Sequence, residues 1–201
     1  MSNRAFCFDL SGTITKEEII PMLGKELGIY EEIQMLTEAT SNGEIPPLNS
    51  FSLRFNLIKE LDLNKSQKII SKIDLNSKIL DFIKLNSQNC FIITSALDIW
   101  LEELKNKIPC KFFSSTAKLK GGKINSIDNI LNKAESINQI KKNFDEIIAI
   151  GGDMGDVEMF QVADRSIAFL KIHKPVQSLV EESDFVTFSE EGLCNILNTL
   201  S

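Results

Sequence analysis

The sequence has little of what common metal and redox sites require. One histidine, His173, occurs among 201 residues, so a histidine-based metal cluster has no basis and a catalytic triad would depend on that single side chain. Its setting, Lys171-Ile172-His173-Lys174-Pro175, indicates a surface loop. The four cysteines stand far apart, without a Cys-x-x-Cys pair. This spacing disfavours zinc or redox chemistry and indicates reduced, buried thiols in a cytoplasmic protein.

Long apolar runs and an excess of positive charge are also missing. No stretch is long enough to cross a membrane, and Met1-Ser2-Asn3-Arg4 leads straight into a short strand, without the layout of a signal peptide. Lys and Arg number 22 against 28 Asp and Glu, which gives a net charge of −6. We therefore expect a cytoplasmic protein whose partner is neither nucleic acid nor a membrane.

The first half of the chain is dominated by helical periodicity. From about Lys16 to about Leu85, apolar residues recur at helical spacing and no strand pattern interrupts them. The predicted helices cover residues 17–27 ending at Gly28, 30–40, and 49–61 after Pro46-Pro47, and two more begin at the N-caps Asn64 and Asn76.

After Asn89, predicted strands alternate with helices. The strands cover 90–95, 111–114, a hairpin at 118–124 with a Gly-Gly turn, 146–150, 166–170 and 185–188; the helices cover 97–106, 133–142, a segment ending near 161, 176–182 and the C-terminus. This alternation implies a mainly parallel sheet. The first strand, which ends at Asp9, belongs to that sheet, although its next partner arrives only at Cys90. We predict an α/β fold: a Rossmann-like sheet with helices on both faces, formed by residues 1–15 and 86–201, with an all-helical cap inserted at 16–85.

Polar residues follow three of the predicted strands. The segments 9–13, 94–95 and 151–156 should meet at the C-terminal edge of the sheet, where open α/β sheets bind ligands. Taken alone, Asp9 is a turn-forming residue and Lys133 is a surface lysine. Together, a carboxylate nucleophile, hydroxyl donors, a lysine and further carboxylates suit attack on a phosphoryl group, because aspartate can form a covalent phosphoenzyme and cations offset the phosphate charge.

In this order, the motifs resemble those of the haloacid dehalogenase superfamily and, within it, the phosphoserine phosphatases. The family's opening Asp-x-Asp-x-Thr matches Asp9-Leu10-Ser11-Gly12-Thr13, and its acidic motif falls on Gly151-Gly152-Asp153-Met154-Gly155-Asp156. Its Ser/Thr motif matches Thr94, beside Ser95, and its lysine matches Lys133. The resemblance implies catalytic roles for Asp9, Ser11 and Lys133, phosphate binding by Thr13, Thr94, Ser95 and Lys133, and Mg²⁺ binding by Asp9, Ser11, Asp153 and Asp156.

The predicted cap carries a second layer of resemblance. Phosphoserine phosphatases place a substrate-binding glutamate shortly after the nucleophile, which is Glu18 here. They place an arginine in the third cap helix, which corresponds to Arg54 in Arg54-Phe55-Asn56-Leu57-Ile58-Lys59. By resemblance, Glu18 would hold a substrate amine and Arg54 a carboxylate, which a guanidinium binds in a planar fork. The alternative is that both are solvated cap residues.

Two motif positions depart from the family pattern. The family's acid–base aspartate is Ser11 here, and losing such a group typically costs about 10²- to 10⁴-fold in rate. Ser11 therefore indicates slow hydrolysis, a substrate with a good leaving group, or no hydrolysis. Gly152 stands at the metal-binding aspartate, and Asp153 comes one residue late. Flanking glycines could let Asp153 reach Mg²⁺, or Asp153 and Asp156 could serve only as helix N-terminal residues.

Two functions from different classes follow. The first is a Mg²⁺-dependent phosphatase that acts through an aspartyl phosphate on a small phosphorylated metabolite, phosphoserine-like if Glu18 and Arg54 bind it, working as a monomer or homodimer. The alternative is a catalytically retired relative that binds a phosphometabolite or a protein partner through its cleft. A phosphotransferase, which passes the phosphoryl group to an acceptor other than water, lies between them.

Overall fold

The fold is organised around one seven-stranded sheet. The computed structural model describes residues 3–201; Met1 and Ser2, which begin the stretch without signal-peptide character, lie outside the described residues. The strands are β1 Arg4–Phe8, β2 Cys90–Leu97, β3 Lys111–Lys120, β4 Lys123–Asn129, β5 Glu146–Gly151, β6 Arg165–Phe169 and β7 Phe185–Thr187. Their spatial order is β4-β3-β2-β1-β5-β6-β7, and only the β3–β4 pair is antiparallel.

The helices lie on both faces of this sheet and in the segment between β1 and β2. They are α1 Ile19–Leu27, α2 Tyr30–Ser41, α3 Pro47–Ile58, α4 Leu63–Ile70, α5 Ser77–Leu85, α6 Glu102–Lys105, α7 Lys133–Ile140, α8 Val157–Val162, α9 Gln177–Glu181 and α10 Glu190–Leu200. The mainly parallel sheet with its helical layers confirms the predicted Rossmann-like α/β class. Gly28 ends α1 in the left-handed conformation, with φ 71°, as its position predicts.

β1 occupies the centre of the sheet because both of its faces are apolar. Phe6 and Phe8 belong to the hydrophobic cluster on one face, whereas Ala5 and Cys7 belong to the cluster on the other. The strand pairs in parallel with β2 and with β5. A strand buried on both sides ends inside the protein, so the next residue, Asp9, reaches the sheet edge with only 3% of its surface exposed.

Two local predictions are wrong in detail, and a third is confirmed only in position. The N-cap of α4 is Asp62, not Asn64, and its carboxylate accepts from the Lys65 N–H at 3.0 Å. Asn76 is the N-cap residue of α5, as predicted, but its side chain makes no capping bond, because its amide donates to the Thr13 carbonyl and accepts from Lys171 Nζ. Residues 97–106 are not one helix, since β2 continues to Leu97 and a 3₁₀ turn comes before α6.

The helix α5 packs on the sheet rather than on the other inserted helices. Phe82 meets Phe6 edge to face, with ring centroids 5.0 Å apart. The backbone N–H of Lys78 donates to Glu190 of α10 at 2.6 Å. The predicted cap of residues 16–85 stays a prediction, and this packing favours a cap that ends before α5.

The predicted Gly-Gly hairpin is confirmed. Gly121 and Gly122 connect β3 to β4 with φ of 59° and 77°. Positive φ at both central residues matches the twist of the flanking strands, and only glycine adopts it without strain.

The cysteines agree with the predicted free thiols. All four are unpaired in the described chain; Cys7 and Cys90 are buried, and Cys110 and Cys194 are half-buried. Burial raises the pKa of the Cys110 thiol to about 12. In residues 3–201, no helix has both the length and the apolar character needed to cross a bilayer.

Candidate active site

The loop after β1 fixes Asp9 at the sheet edge. The Asp9 N–H donates to the Ile150 carbonyl of β5 at 2.8 Å. Beyond it, the N–H groups of Ile14 and Thr15 both donate to the Leu10 carbonyl, which closes a tight turn. Gly12 lies in this turn with φ 81°, a conformation that favours glycine. The carboxylate of Asp9 is therefore placed by backbone bonds on both sides.

Lys133 is held against that carboxylate. It is the first residue of α7, where the Asn132 side chain caps the helix by accepting from the Glu135 N–H at 2.9 Å. Its Nζ donates to Asp9 Oδ1 at 2.7 Å and to Asp156 Oδ1 at 2.6 Å. All three side chains are at least nine-tenths buried. The sequence alone describes a surface lysine; the structure places it inside the site, as the family motif implies.

The loop after β5 turns its backbone toward Asp156. The second oxygen, Oδ2, accepts from the N–H groups of Gly152 at 2.8 Å and Asp153 at 3.1 Å. Asp153 in turn caps the following 3₁₀ turn by accepting from the Gly155 N–H at 2.6 Å. Asp156 thus accepts hydrogen bonds from one lysine and two amides, which links the loop after β5 to Lys133.

Gly152 has a steric reason for lacking a side chain. A Cβ added there would lie 2.5 Å from the Phe169 carbonyl oxygen and 2.9 Å from Cδ2 of His173. A carboxylate at this position would require the backbone after β6 to move. The packing around the loop therefore explains why glycine stands where the family motif has an aspartate.

Burial and mutual charge set the ionisation of this cluster. Burial raises the pKa of Asp9, and Asp156 and Asp153 add to this, while Lys133 opposes it. Burial lowers the pKa of Lys133, but the Asp156 and Asp9 carboxylates outweigh it, so the net direction is upward and the lysine stays charged. For Asp153 burial is again the largest influence, yet Lys133 and His173, the Gly155 N–H and Arg54 hold its pKa below the ordinary value.

The hydroxyl residues divide into two groups. Thr94 and Ser95 line the cleft, and the buried Thr94 Oγ1 accepts from the Ala96 N–H at 3.2 Å. Thr13 is completely buried beneath the loop; its carbonyl accepts from Asn76, and its hydroxyl has no partner in the described part of the chain. Ser11 lines the cleft, and its Oγ accepts from the Ile19 N–H at 2.9 Å, which ties the Asp9 loop to the start of α1.

A second set of side chains faces the cleft from the inserted helices and from the loop after β6. Glu18 is the N-cap residue of α1, and Arg54 lies on α3. Arg54 donates from Nε to the Ser50 carbonyl at 3.4 Å and from Nη1 to Thr37 Oγ1 at 3.3 Å, both long contacts. Glu18 and Arg54 both line the cleft and are largely covered. They are therefore not the solvated cap residues that the sequence left as an alternative to substrate binding.

His173 lies in the cleft and not at the open surface that its sequence setting indicates. Its side chain is 11% exposed, not on the open surface, and it lines the cleft with Nδ1 3.4 Å from Glu18 Oε1. Its Nε2 is buried without a hydrogen-bond partner among the described residues. One signal was available: His173 follows β6, and the ends of parallel strands share one sheet edge with Asp9 and Thr94.

Asp9, Lys133 and Thr94 line one end of a cavity of about 120 Å³, and Glu18, Arg54 and His173 line the other; Asp156 contacts Lys133 but does not line the cavity. We call Asp9, Lys133 and Asp156, with Thr94 beside them, the phosphoryl end. We call Glu18, Arg54 and His173 the substrate end. Drug-sized ligands occupy pockets of roughly 300–1,000 Å³, so this cavity suits a small metabolite.

Metal ligands are sparse in this cleft. In residues 3–201, no three His, Cys, Asp or Glu side chains converge as a metal site. Asp9 and Asp153 face the same charged cluster, and the second oxygen of Asp9 accepts no hydrogen bond from the described residues. Mg²⁺ prefers oxygen ligands and keeps several waters, and it is often bound by one or two carboxylates plus substrate phosphate. The donors present fit that pattern.

The fold and the two-ended cleft have the layout of an α/β phosphohydrolase. The profile of the haloacid dehalogenase-like hydrolases matches residues 25–192, and the chain belongs to this family. It is 27% identical over 192 residues to phosphoserine phosphatase of Methanocaldococcus jannaschii, covering 88% of each protein. It is 24% identical over 179 residues to phosphoserine phosphatase of Archaeoglobus fulgidus, covering 83% of this chain but only about half, 52%, of that protein.

A solved structure shares the complete fold. A phospho-aspartyl intermediate analogue of phosphoserine phosphatase superposes with a TM-score of 0.84 over 99% of both chains, at 23% identity. The chain is thus a haloacid dehalogenase-type phosphohydrolase that is similar to phosphoserine phosphatases.

Proposed function

We propose that this chain is a Mg²⁺-dependent phosphomonoester hydrolase that acts through an aspartyl phosphate on Asp9. The observation that carries the proposal is the Asp9–Lys133–Asp156 network, with contacts of 2.7 and 2.6 Å at the base of a small cleft. A buried carboxylate with one oxygen paired to lysine presents its other oxygen as the nucleophile. The similarity to phosphoserine phosphatases supports the same chemistry.

The reaction divides into two steps. Asp9 Oδ2 attacks phosphorus, the bond from phosphorus to the ester oxygen breaks, and the departing alkoxide takes a proton from water. Lys133 and the hydroxyls of Thr94 and Ser95 offset the charge on the phosphoryl oxygens. Water then attacks the phosphoryl group, the bond from phosphorus to Asp9 Oδ2 breaks, and the proton lost by this water neutralises the hydroxide left by the first step; inorganic phosphate is released and the carboxylate is restored.

Ser11 leaves both proton transfers without a protein carboxyl group. Its hydroxyl accepts from the Ile19 N–H and does not ionise near neutral pH, so it cannot replace an acid–base aspartate. The expected consequence is slow turnover, fastest for esters whose leaving group needs no proton. Thr13 lies below the loop, so we propose that it supports the turn instead of contacting phosphate.

The residues that would hold Mg²⁺ are Asp9 and Asp153, with Ser11 lining the same cleft. When bound, the ion supplies positive charge beside the transferred phosphoryl group. Asp156 would act from behind, because its oxygens are engaged by Lys133 and two amides.

The substrate end supports a small phosphorylated metabolite with a carboxylate. Arg54 is largely covered and lies beside Glu18 and His173 in the same cavity as Asp9. Planar pairing of a guanidinium with a carboxylate is among the stronger charge-assisted contacts. This charge pattern is phosphoserine-like at its carboxylate.

The second candidate function is a retired phosphatase that only binds a phosphometabolite. Two observations favour it: Ser11 supplies no acid, and the packing around Gly152 excludes a carboxylate. Calorimetric binding of a phosphometabolite in the absence of Mg²⁺, with no turnover on a broad phosphate panel, would support this function.

Phosphate release from p-nitrophenyl phosphate tests the first function. This ester has a good leaving group, so the lack of an acid at Ser11 matters least. We expect Mg²⁺-dependent turnover that a chelator abolishes and that Asp9→Asn reduces by at least about 10⁴-fold. Asp145→Asn, which alters a carboxylate near the opposite end of β5, is the matched control and should keep full activity. Equal turnover in Asp9→Asn and the control would contradict the nucleophile assignment.

A further inference from the structure

We propose that His173 determines specificity by occupying the Glu18 carboxylate, so that the cleft selects a phosphorylated hydroxy acid over a phosphorylated amino acid. The inference rests on the proposed phosphatase function for its site, but it concerns the substrate end alone. It differs from the expectation that Glu18 holds a substrate amine.

The first step is the contact between His173 and Glu18. Nδ1 lies 3.4 Å from Oε1, and the two side chains are 11% and 17% exposed. An imidazole can present an N–H at Nδ1 whether it is neutral or protonated. The pair lies within ion-pair distance but outside hydrogen-bond geometry, so Glu18 already faces an imidazole nitrogen of the protein itself. A substrate ammonium would have to compete with that nitrogen in a largely dry cavity.

The second step is that the imidazole is held in place. A Cβ added to Gly12 would lie 2.5 Å from His173 Nε2, and one added to Gly152 would lie 2.9 Å from Cδ2. The ring fills space that exists only because both positions are glycine. The imidazole can therefore lie next to Glu18 because Gly152 has no side chain.

The third step is the charge that remains unmatched. Among the described residues, no carboxylate lies within 4.0 Å of the Arg54 guanidinium, whose contacts are the long ones to Ser50 and Thr37. With Glu18 paired to His173, Arg54 is the charge at the substrate end that lacks a close partner of opposite sign. A carboxylate satisfies it, and a hydroxyl can donate to Glu18 or accept from His173, whereas an ammonium can only donate and would compete with His173 for Glu18.

A matched pair of ligands tests this proposal. 3-Phosphoglycerate and phosphoserine share a phosphate and a carboxylate and differ by a hydroxyl in place of the ammonium. In Asp9→Asn protein with Mg²⁺, which holds ligands without hydrolysing them, we expect calorimetry to give at least about tenfold tighter binding of 3-phosphoglycerate. Adding His173→Ala should narrow this ratio by about tenfold, because Glu18 becomes free to accept an ammonium. Lys174→Ala, exposed in the same loop, should leave the ratio unchanged.

Several results would overturn the proposal. These are equal or tighter binding of phosphoserine, binding of neither ligand, and an unchanged ratio in a folded His173→Ala protein. If the His173→Ala variant does not fold, the proposal is judged by the ratio of the two affinities in the protein that retains His173. Turnover of p-nitrophenyl phosphate, which has neither a carboxylate nor an amine, reports separately on the Asp9 chemistry. Its absence would count against the phosphatase function while the binding ratio still judges the role of His173.

Discussion

The two ends of the cleft are built differently. At the phosphoryl end, Lys133 bridges Asp9 and Asp156 at 2.7 and 2.6 Å, and the three side chains are almost completely buried. At the substrate end, the hydrogen bonds that Arg54 donates to Ser50 and Thr37 are 3.4 and 3.3 Å long. The contact between His173 and Glu18 is also 3.4 Å long. The first end sits on the edge of a central sheet; the second is assembled from two helices and a loop.

This difference indicates that the two ends are preorganised for a ligand to different degrees. The phosphoryl end is preorganised: its charges are paired and its dipoles fixed before a ligand arrives, which suits charge that develops during reaction. The substrate end keeps weakly satisfied groups that improve their contacts when a ligand enters. We expect changes at the first end to affect stability and rate together, and changes at the second to affect affinity.

The largest effect is expected from Lys133→Met. It removes the cation from between two buried carboxylates, and breaking a buried pair in this way typically costs about 3–5 kcal/mol. Urea unfolding measures the loss. Lys141→Met is the matched control, because Lys141 pairs with Asp164 at 2.9 Å on the exposed surface and should cost at most about 1 kcal/mol. A similar loss of unfolding free energy in both variants would mean that the buried ion pairs of the phosphoryl end stabilise the fold no more than a surface pair does.

Ser11→Asp should have the next largest effect, in the opposite direction. A carboxyl group beside Asp9 can protonate the leaving oxygen and then activate water, so we expect turnover of an alkyl phosphate to rise about tenfold to a hundredfold. Initial rates at saturating substrate measure it. Ser11→Asn has nearly the same size without an ionisable group and should not raise the rate. A rate that stays flat or falls in Ser11→Asp would show that Ser11 serves another chemistry.

Arg54→Gln should have the smallest effect, confined to the substrate end. Loss of the guanidinium removes a charge-assisted contact to a ligand carboxylate, so we expect KM for a carboxylated phosphomonoester to rise about tenfold with kcat little changed. Steady-state kinetics on p-nitrophenyl phosphate provide the control, because that substrate has no carboxylate to lose. An equal change on both substrates would mean that Arg54 acts through the phosphoryl end.

The phosphoryl end could be predicted from sequence because each of its parts carries a local signal. Asp9 ends an apolar strand, the acidic loop follows another, and parallel strands bring both to one edge. Lys133 needed the family motif, since nothing local separates it from the surface lysines. The position of Asp9 and of the acidic loop could therefore be predicted from the strand order, and that of Lys133 only from the resemblance.

The position of His173 after β6 indicates the ligand-binding edge of the sheet, but where its side chain lies depends on space left by other segments. Gly12 and Gly152 make room for the ring, and Glu18 approaches from the start of α1. Asn76 stands at the predicted N-cap of α5 but makes no side-chain capping bond for the same kind of reason: Thr13 and Lys171, which are distant in sequence, bind its amide. Local propensity cannot report on bonds made between distant segments.

The central claim is that Asp9 accepts the phosphoryl group, and trapping the phosphoenzyme tests it most directly. Acid quenching during turnover of p-nitrophenyl phosphate, followed by peptide mass spectrometry, would locate the covalent phosphate. We expect phosphate on Asp9, in the peptide that follows β1, and none in Asp9→Asn protein. Phosphate on another residue, or steady turnover by the Asp9→Asn protein, would contradict it.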